Sequence, residues 1–228
     1  MKNVQNYSQM VAADVVFEGN NIVSEGSIIL YGTIIGSGSV IGRVPRKSVA
    51  VVGDKSTSQP TELAENCVIS SNVTIYTGVK IGTECLIGDN TSILCNVVIG
   101  ERVLISRNVT INSEVVIGSD SRIMDNSHVT SRSQIGDHVF MSVGISSAND
   151  NLFGKHGLSE AVSGFTLEDF VSVGAGCIIL PGSIVGKGSI VAAGSVLKGE
   201  YPGDSIISGN PAKVVTRVPR HMMRYDRE

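Results

Sequence analysis

Residues 69–141 read ISSNVTIYTGVKIGTECLIGDNTSILCNVVIGERVLISRNVTINSEVVIGSDSRIMDNSHVTSRSQIGDHVFM, and every sixth residue of that stretch is aliphatic. The series is Ile69, Ile75, Ile81, Ile87, Ile93, Ile99, Ile105, Ile111, Ile117, Ile123, Val129, Ile135 and Met141. Val, Ile, Leu and Met make up roughly a third of the chain, so an unbroken run of this length arises by chance on the order of one time in a million. A period of six matches neither the 3.6 of an amphipathic helix nor the 2 of a half-buried strand. It matches a short flat strand plus a corner, three to a turn, stacked as a parallel β-helix.

The same phase extends outward. It takes in Val11, Phe17, Val23, Ile29, Ile35 and Ile41 on one side, and Val173, Ile179, Val185, Val191 and Leu197 on the other. These 24 hexads predict about eight coils in an all-β, single-stranded solenoid. At the spacing of neighbouring strands its length is ~38 Å. Two segments break the count, residues 43–66 and 146–169, and are expected to leave the coil as loop excursions where binding and chemistry concentrate. One continuous repeat over 228 residues predicts a single domain, residues 1–215, with a tail from 216 to 228.

Composition fits a thin coil, with 26 glycines, no tryptophan and 4% aromatic residues. A net charge of −3 with dispersed basic residues gives no reason to expect nucleic acid as a partner. The first residues lack the apolar run of a signal peptide, and no stretch is long and apolar enough to cross a bilayer. A soluble cytoplasmic chain with no membrane partner is the expectation.

Every eighteenth residue should stack along one edge. Asn72, Asn90, Asn108 and Asn126 form one such column, and asparagine tolerates the left-handed backbone of a tight corner. Glu84, Arg102, Asp120 and His138 form another, alternating in sign, which makes His138 a ladder partner of Asp120 rather than a catalyst. Cys67, Cys85 and Cys177 fall two residues before a buried aliphatic and read as core filler. No metal is expected, because the four histidines are scattered and no C-x-x-C spacing occurs.

The hexads carry repeated Ile-Gly steps at Ile81-Gly82, Ile87-Gly88, Ile99-Gly100, Ile117-Gly118 and Ile135-Gly136. With Val173-Gly174-Ala175-Gly176, Ala193-Gly194-Ser195-Val196 and Gly209-Asn210-Pro211-Ala212-Lys213, the chain resembles the hexapeptide-repeat acyltransferases. That resemblance implies a left-handed coil, an exception to the usual crossover rule. It also implies a homotrimer with acetyl-CoA or another acyl-CoA in the groove between neighbouring subunits. The small residues Gly174, Ala175, Ala192 and Ala193 would admit the pantetheine arm, and Lys198, Lys213 and Arg217 would meet the cofactor phosphates. Otherwise the small residues merely satisfy tight corners and the basic residues are solvated.

Within the second excursion, Val139-Phe140 followed by Asn149-Asp150 is similar to the branch of the family that acylates amino groups of nucleotide-linked sugars. The resemblance implies that Asn149 reaches the acceptor and that Asp150 or a nearby histidine takes the proton. Branches acting on hydroxyls place a catalytic His close to Asp150, so its absence favours an amine acceptor, with O-acylation as the rival. The bland account of Asn149-Asp150 is a turn. His128 precedes the buried Val129, so it should face outward about a coil below Ser146, as an acceptor contact or as an ordinary strand histidine. His156, in Gly154-Lys155-His156-Gly157, could supply a base from the loop tip or be a solvated loop residue. Arg43, Arg46 and Lys47 suit an acceptor diphosphate or a plain basic loop. A zinc-dependent carbonic-anhydrase-like reading needs three clustered histidines, and His128 and His138 fall on different faces of the coil.

Overall fold

The computed structural model describes residues 10–46, 59–151 and 162–223. Short strands, most of two residues, pair in parallel with the strand eighteen residues on, as Lys80 with Val98 and Ile81 with Ile99. They build three walls. The first has ten rungs, from Met10–Val11 to Glu200–Tyr201, and the second has ten, from Val16–Phe17 to Ser205–Gly209. The third has nine in two sheets, six from Ile22–Val23 to His128–Val129 and three from Ser146–Ser147 to Val196–Leu197. From the second coil onward the second residue of almost every rung faces in, so one side chain per hexad, mostly Ile or Val, is removed from water. Each such side chain contributes about 1.5–3 kcal/mol on burial, and repetition along the axis makes the stack cohere.

The described residues form 29 parallel rungs, close to ten coils rather than eight. The five additional second-residue positions are Leu63, Leu167, Tyr201 and Ile207, all buried, and the half-buried Ser147. Glu62–Leu63 and Thr166–Leu167 are strands inside the stretches that the broken periodicity assigns to excursions. Ser147 hides its rung because it is polar. Its hydroxyl donates to the His128 carbonyl at 2.7 Å and accepts from the Thr130 amide at 2.8 Å, which satisfies it without an apolar side chain. Tyr201 follows Leu197 by only four residues, because the corner before it is short.

The corners explain the rest of the sequence pattern. Asn72, Asn90, Asn108 and Asn126 all hold left-handed φ values of 55–60°, and the Asn108 amide donates to the Asn126 side chain at 3.4 Å. Gly118 is required by contact: a Cβ there would lie 2.5 Å from the Gly136 carbonyl carbon of the next coil. On the charged edge, Arg102 donates to both carboxylate oxygens of Asp120, at 2.8 and 2.9 Å. His138 continues that edge, but its ring stacks on Phe170 with centroids 4.7 Å apart and planes 7° from parallel. The excursion displaces Phe170 from the eighteen-residue count, which is why the column reading shows only Asp120 as a neighbour.

After Ser205–Gly209 the chain turns back, and Ala212–Arg217 pairs with it antiparallel, closing the C-terminal end of the second wall. A short 3-10 turn at Arg220–Met222 follows. No helix among the described residues is long and apolar enough to cross a membrane.

Candidate functional site

The corner between the second and third walls changes character part-way up. In the lower coils its tip residues are Ser71, Asp89, Arg107 and Asp125, and the left-handed residues that follow are the four asparagines. These side chains close the corner on itself. Asp89 accepts from the Ser71 amide at 3.0 Å, and Asp125 accepts from the Arg107 amide at 3.0 Å and its guanidinium at 2.7 Å. Asp125 also accepts from the Ser106 hydroxyl, and with Arg107 as the larger cause its carboxyl is held well below the usual range.

In the top three coils the tips become Val143, Ala175 and Ala193, and the left-handed residues become Gly144, Gly176 and Gly194. A Cβ added to any of those three glycines would meet nothing within 4 Å. No described residue accepts from the amides of Val143, Ala175 or Ala193. The corner between the first and second walls is not opened in this way: Ser119, Asp137 and Glu168 side chains cap the amides of Glu101, Ser119, Asp137 and Lys187 together with Asp169. What distinguishes the upper corner is its small tips and the open space beside its three glycines, which suit a narrow ligand that carries its own carbonyls.

The third wall adjoins this opening. Its outward positions run Thr74, Ser92, Thr110, His128 and Ser146. His128 lies on the rung beneath Ser146, its amide donating to the Ile145 carbonyl at 2.8 Å, as its position before Val129 implies. The imidazole is half-buried, and Nδ1 is 2.6 Å from the Thr110 hydroxyl. Burial lowers its pKa and keeps the ring neutral to lower pH. Asn149 and Asp150 begin the second excursion just beyond Ser146–Ser147, Asn149 half-buried and Asp150 exposed. The Asn149 carbonyl accepts from the Ser163 amide at 3.3 Å, so departure and return points are tied together. The Arg132 guanidinium holds the return strand through the Val162 carbonyl at 3.4 Å. His128 is thus on the third wall and Asn149 and Asp150 leave it just after the next rung up, Ser146–Ser147; His156 lies outside the described residues.

Other candidates separate. Gly174 is demanded by packing, since a Cβ would stand 2.5 Å from the Ala193 nitrogen. Ala175 and Ala192 are half-buried, whereas Ala193 is exposed at the open corner. Lys198, Lys213 and Arg217 are all exposed. The Tyr201 hydroxyl, a group that the hexad count misses, accepts from the Lys198 amide at 3.0 Å and donates to the Ala212 carbonyl at 3.2 Å. It thereby ties the Lys198 backbone to the strand bearing Lys213. A bulge between Ile206 and Ile207 sets Lys213 opposite Ser208 and Arg217 opposite Ser205, on alternate faces of the hairpin. In the first excursion Arg43 lies over the Tyr76 ring at 5.5 Å and Arg46 is exposed, while Lys47 lies outside the described residues.

All four cysteines are buried and free. Burial raises the Cys177 thiol, and a hydrogen bond with Cys67 together with burial raises that of Cys85, so neither is a ready nucleophile. Among the described residues no group of three or more His, Cys, Asp or Glu side chains is placed to hold a metal.

The family model described as bacterial transferase hexapeptide (six repeats) matches residues 78–113 and 166–199. Both matched stretches lie on rungs of the coil. No curated protein sequence matches the chain. Among solved structures, the chain is similar to the polysialic acid O-acetyltransferase OatWY, at 17% identity over 93% of this chain and 95% of that one, with a TM-score of 0.54. It is also similar to the hexapeptide-repeat acetyltransferase VCA0836 of Vibrio cholerae, solved with acetyl coenzyme A, at 20% identity over 62% and 72% of the two chains and a TM-score of 0.47. The N-acyltransferase AntD of Bacillus cereus, solved with dTDP and coenzyme A, shares 22% identity over 71% and 86%, with a TM-score of 0.48. The likeness to OatWY, at 17% identity, shows the fold alone.

Proposed function

We propose that this chain is an acyl-CoA-dependent acyltransferase, most simply an acetyltransferase, acting as a homotrimer on the amine of a nucleotide-linked amino sugar. The observation that carries this reading is the open upper corner. There the Val143, Ala175 and Ala193 amides lack described acceptors, and the wall beside them bears His128 and leads into Asn149-Asp150. The pantetheine arm of acyl-CoA has the width and the amide carbonyls to occupy such a corner. Lys198 and Lys213, whose backbones are tied through Tyr201, and Arg217 are the exposed basic groups that would receive the cofactor phosphates.

Asn149 orients the acceptor, and its nitrogen attacks the thioester carbonyl directly. No covalent enzyme intermediate is needed, because the cysteines are buried in the core. An uncapped corner amide polarises the thioester carbonyl as it gathers charge. His128 and Asp150 are the two groups that can accept the acceptor's proton.

O-acylation is the second reading, favoured by one observation: His128 is a neutral, half-buried imidazole, the kind of base that an alcohol needs more than an amine does. Purified protein offered acetyl-CoA with a nucleotide-linked amino sugar, and separately with its hydroxyl analogue, decides between them by thiol release. Faster release with the amine is expected. Release with the hydroxyl analogue alone would transfer the proposal to the rival, and none with either across a panel of acyl donors would end it.

A further inference from the structure

We infer that His128 is the proton acceptor of this site and that Thr110, one coil below, is a positioning residue that fixes the imidazole as the Nδ1–H tautomer, leaving the Nε2 lone pair free for the acceptor. The inference rests on the acyl-transfer reading above and deepens it by choosing between His128 and Asp150. It begins from the 2.6 Å approach of Nδ1 to the Thr110 hydroxyl, the single hydrogen bond that the ring makes among the described residues. A hydroxyl can accept from Nδ1–H or donate to bare Nδ1. Only the first arrangement keeps its partner when the ring becomes doubly protonated, because imidazolium has a donor at both nitrogens. A base that must gain and lose a proton on Nε2 therefore keeps one unchanged contact throughout the cycle if Thr110 accepts from Nδ1.

The surroundings agree. The rung below presents Thr110 and the rung above presents Ser146, neither of them charged. Asp125, at the corner before His128, is occupied by Arg107 and Ser106, and Arg132, at the corner after it, is paired with Glu114 at 2.9 Å. Neither Asp125 nor Arg132 is thus left to decide the tautomer, and the lowered basicity of the ring has burial as its cause. Fixed in this way, Nε2 takes the proton released when the acceptor nitrogen bonds to the thioester carbon. The C–S electron pair leaves with sulfur, the thiolate takes that proton back from Nε2, and neutral His128 is restored with free coenzyme A as the second product.

Thr110 is exposed, so Thr110→Val removes the hydroxyl without opening the core. The ring 15N spectrum of the full-length protein reads the tautomer directly: the wild type should show protonated Nδ1 and bare Nε2, and Thr110→Val should show a mixture. Turnover by the valine variant should fall about tenfold while KM for acetyl-CoA stays within about twofold. The acid limb of kcat/KM, already below the ordinary imidazole value of about 6.5, should move lower still because imidazolium loses its acceptor. Thr110→Ser should restore all three readouts, which mere packing would not. Bare Nδ1 in the wild type, or a valine variant with unchanged kcat and acid limb, would overturn the inference. The spectrum needs no turnover, so bare Nε2 in a protein that transfers no acyl group would sink the acyltransferase reading and leave the seating of His128 standing.

Discussion

One corner of the prism contains two designs. From Asn72 to Asn126 it is self-sufficient: aspartates cap the amides of Ser71 and Arg107, Arg107 pairs with Asp125, and asparagines stack. From Gly144 upward the same geometry, with φ values of 67–71°, is kept by glycines, and the tips shrink to Val143, Ala175 and Ala193. The backbone path is the same in both halves, so the difference lies in what the side chains do with the amides. Below, charged and amide side chains fill the corner and cap the Ser71 and Arg107 amides; above, small residues leave it open. Folding tolerates either choice, because exposed amides can bond to water. The upper choice is therefore the informative one.

The largest expected effect comes from writing the lower design into the upper half. Ala175→Arg combined with Ala193→Asp fills the corner and supplies a carboxylate to its amides. Activity at subsaturating acetyl-CoA should fall about a hundredfold or more, equivalent to about 2.7 kcal/mol, with the melting temperature nearly unchanged. Normal activity would show that the open amides bind nothing of consequence. Next is Gly118→Ala on the neighbouring edge, where the new methyl meets the Gly136 backbone; about 1–3 kcal/mol of stability should be lost in a denaturant titration.

Asp125→Asn should lower the melting temperature by a smaller margin, without changing KM for acetyl-CoA. Its folded pKa is depressed by Arg107 first and then by Ser106. The contribution is thus fully present above the unfolded value of about 3.9 and fades as pH falls towards the folded one. Wild type and variant should differ at pH 7 and converge in strong acid; curves that stay parallel would remove the ion pair as the cause. Smallest is Asn126→Gly, which carries the upper residue downward. It loses the bond from Asn108 but relaxes the left-handed backbone, so stability should move by less than about 0.5 kcal/mol.

The inward rungs were legible in the sequence because burial on a flat strand permits little besides Ile and Val. The rungs that hide are those where another interaction replaces the aliphatic: Ser147, held by two backbone bonds, and Tyr201, displaced by a short corner. Leu63 and Leu167 keep the phase but sit among polar neighbours, so the excursions look longer than they are. For the site, the outward face of His128 follows from spacing, whereas the small residues Gly174, Ala175, Ala192 and Ala193 stand out only through the family resemblance. Thr110 lies eighteen residues before His128, and the same column reading that pairs the asparagines reaches it when applied to a wall as well as to an edge. The missing caps on Val143, Ala175 and Ala193 are harder to read. They depend on what stands one coil above, and between Met141 and Val173 the excursion breaks the count.

The bond from Ser163 to the Asn149 carbonyl, with Arg132 gripping Val162, means that the inserted segment enters and leaves the solenoid through one narrow neck. Its length and composition are consequently uncoupled from the register of the rungs on either side. A transplant between those two anchors could alter which molecule is handled while the donor-side architecture stays as it is, so retargeting this scaffold is a matter of loop exchange rather than core redesign.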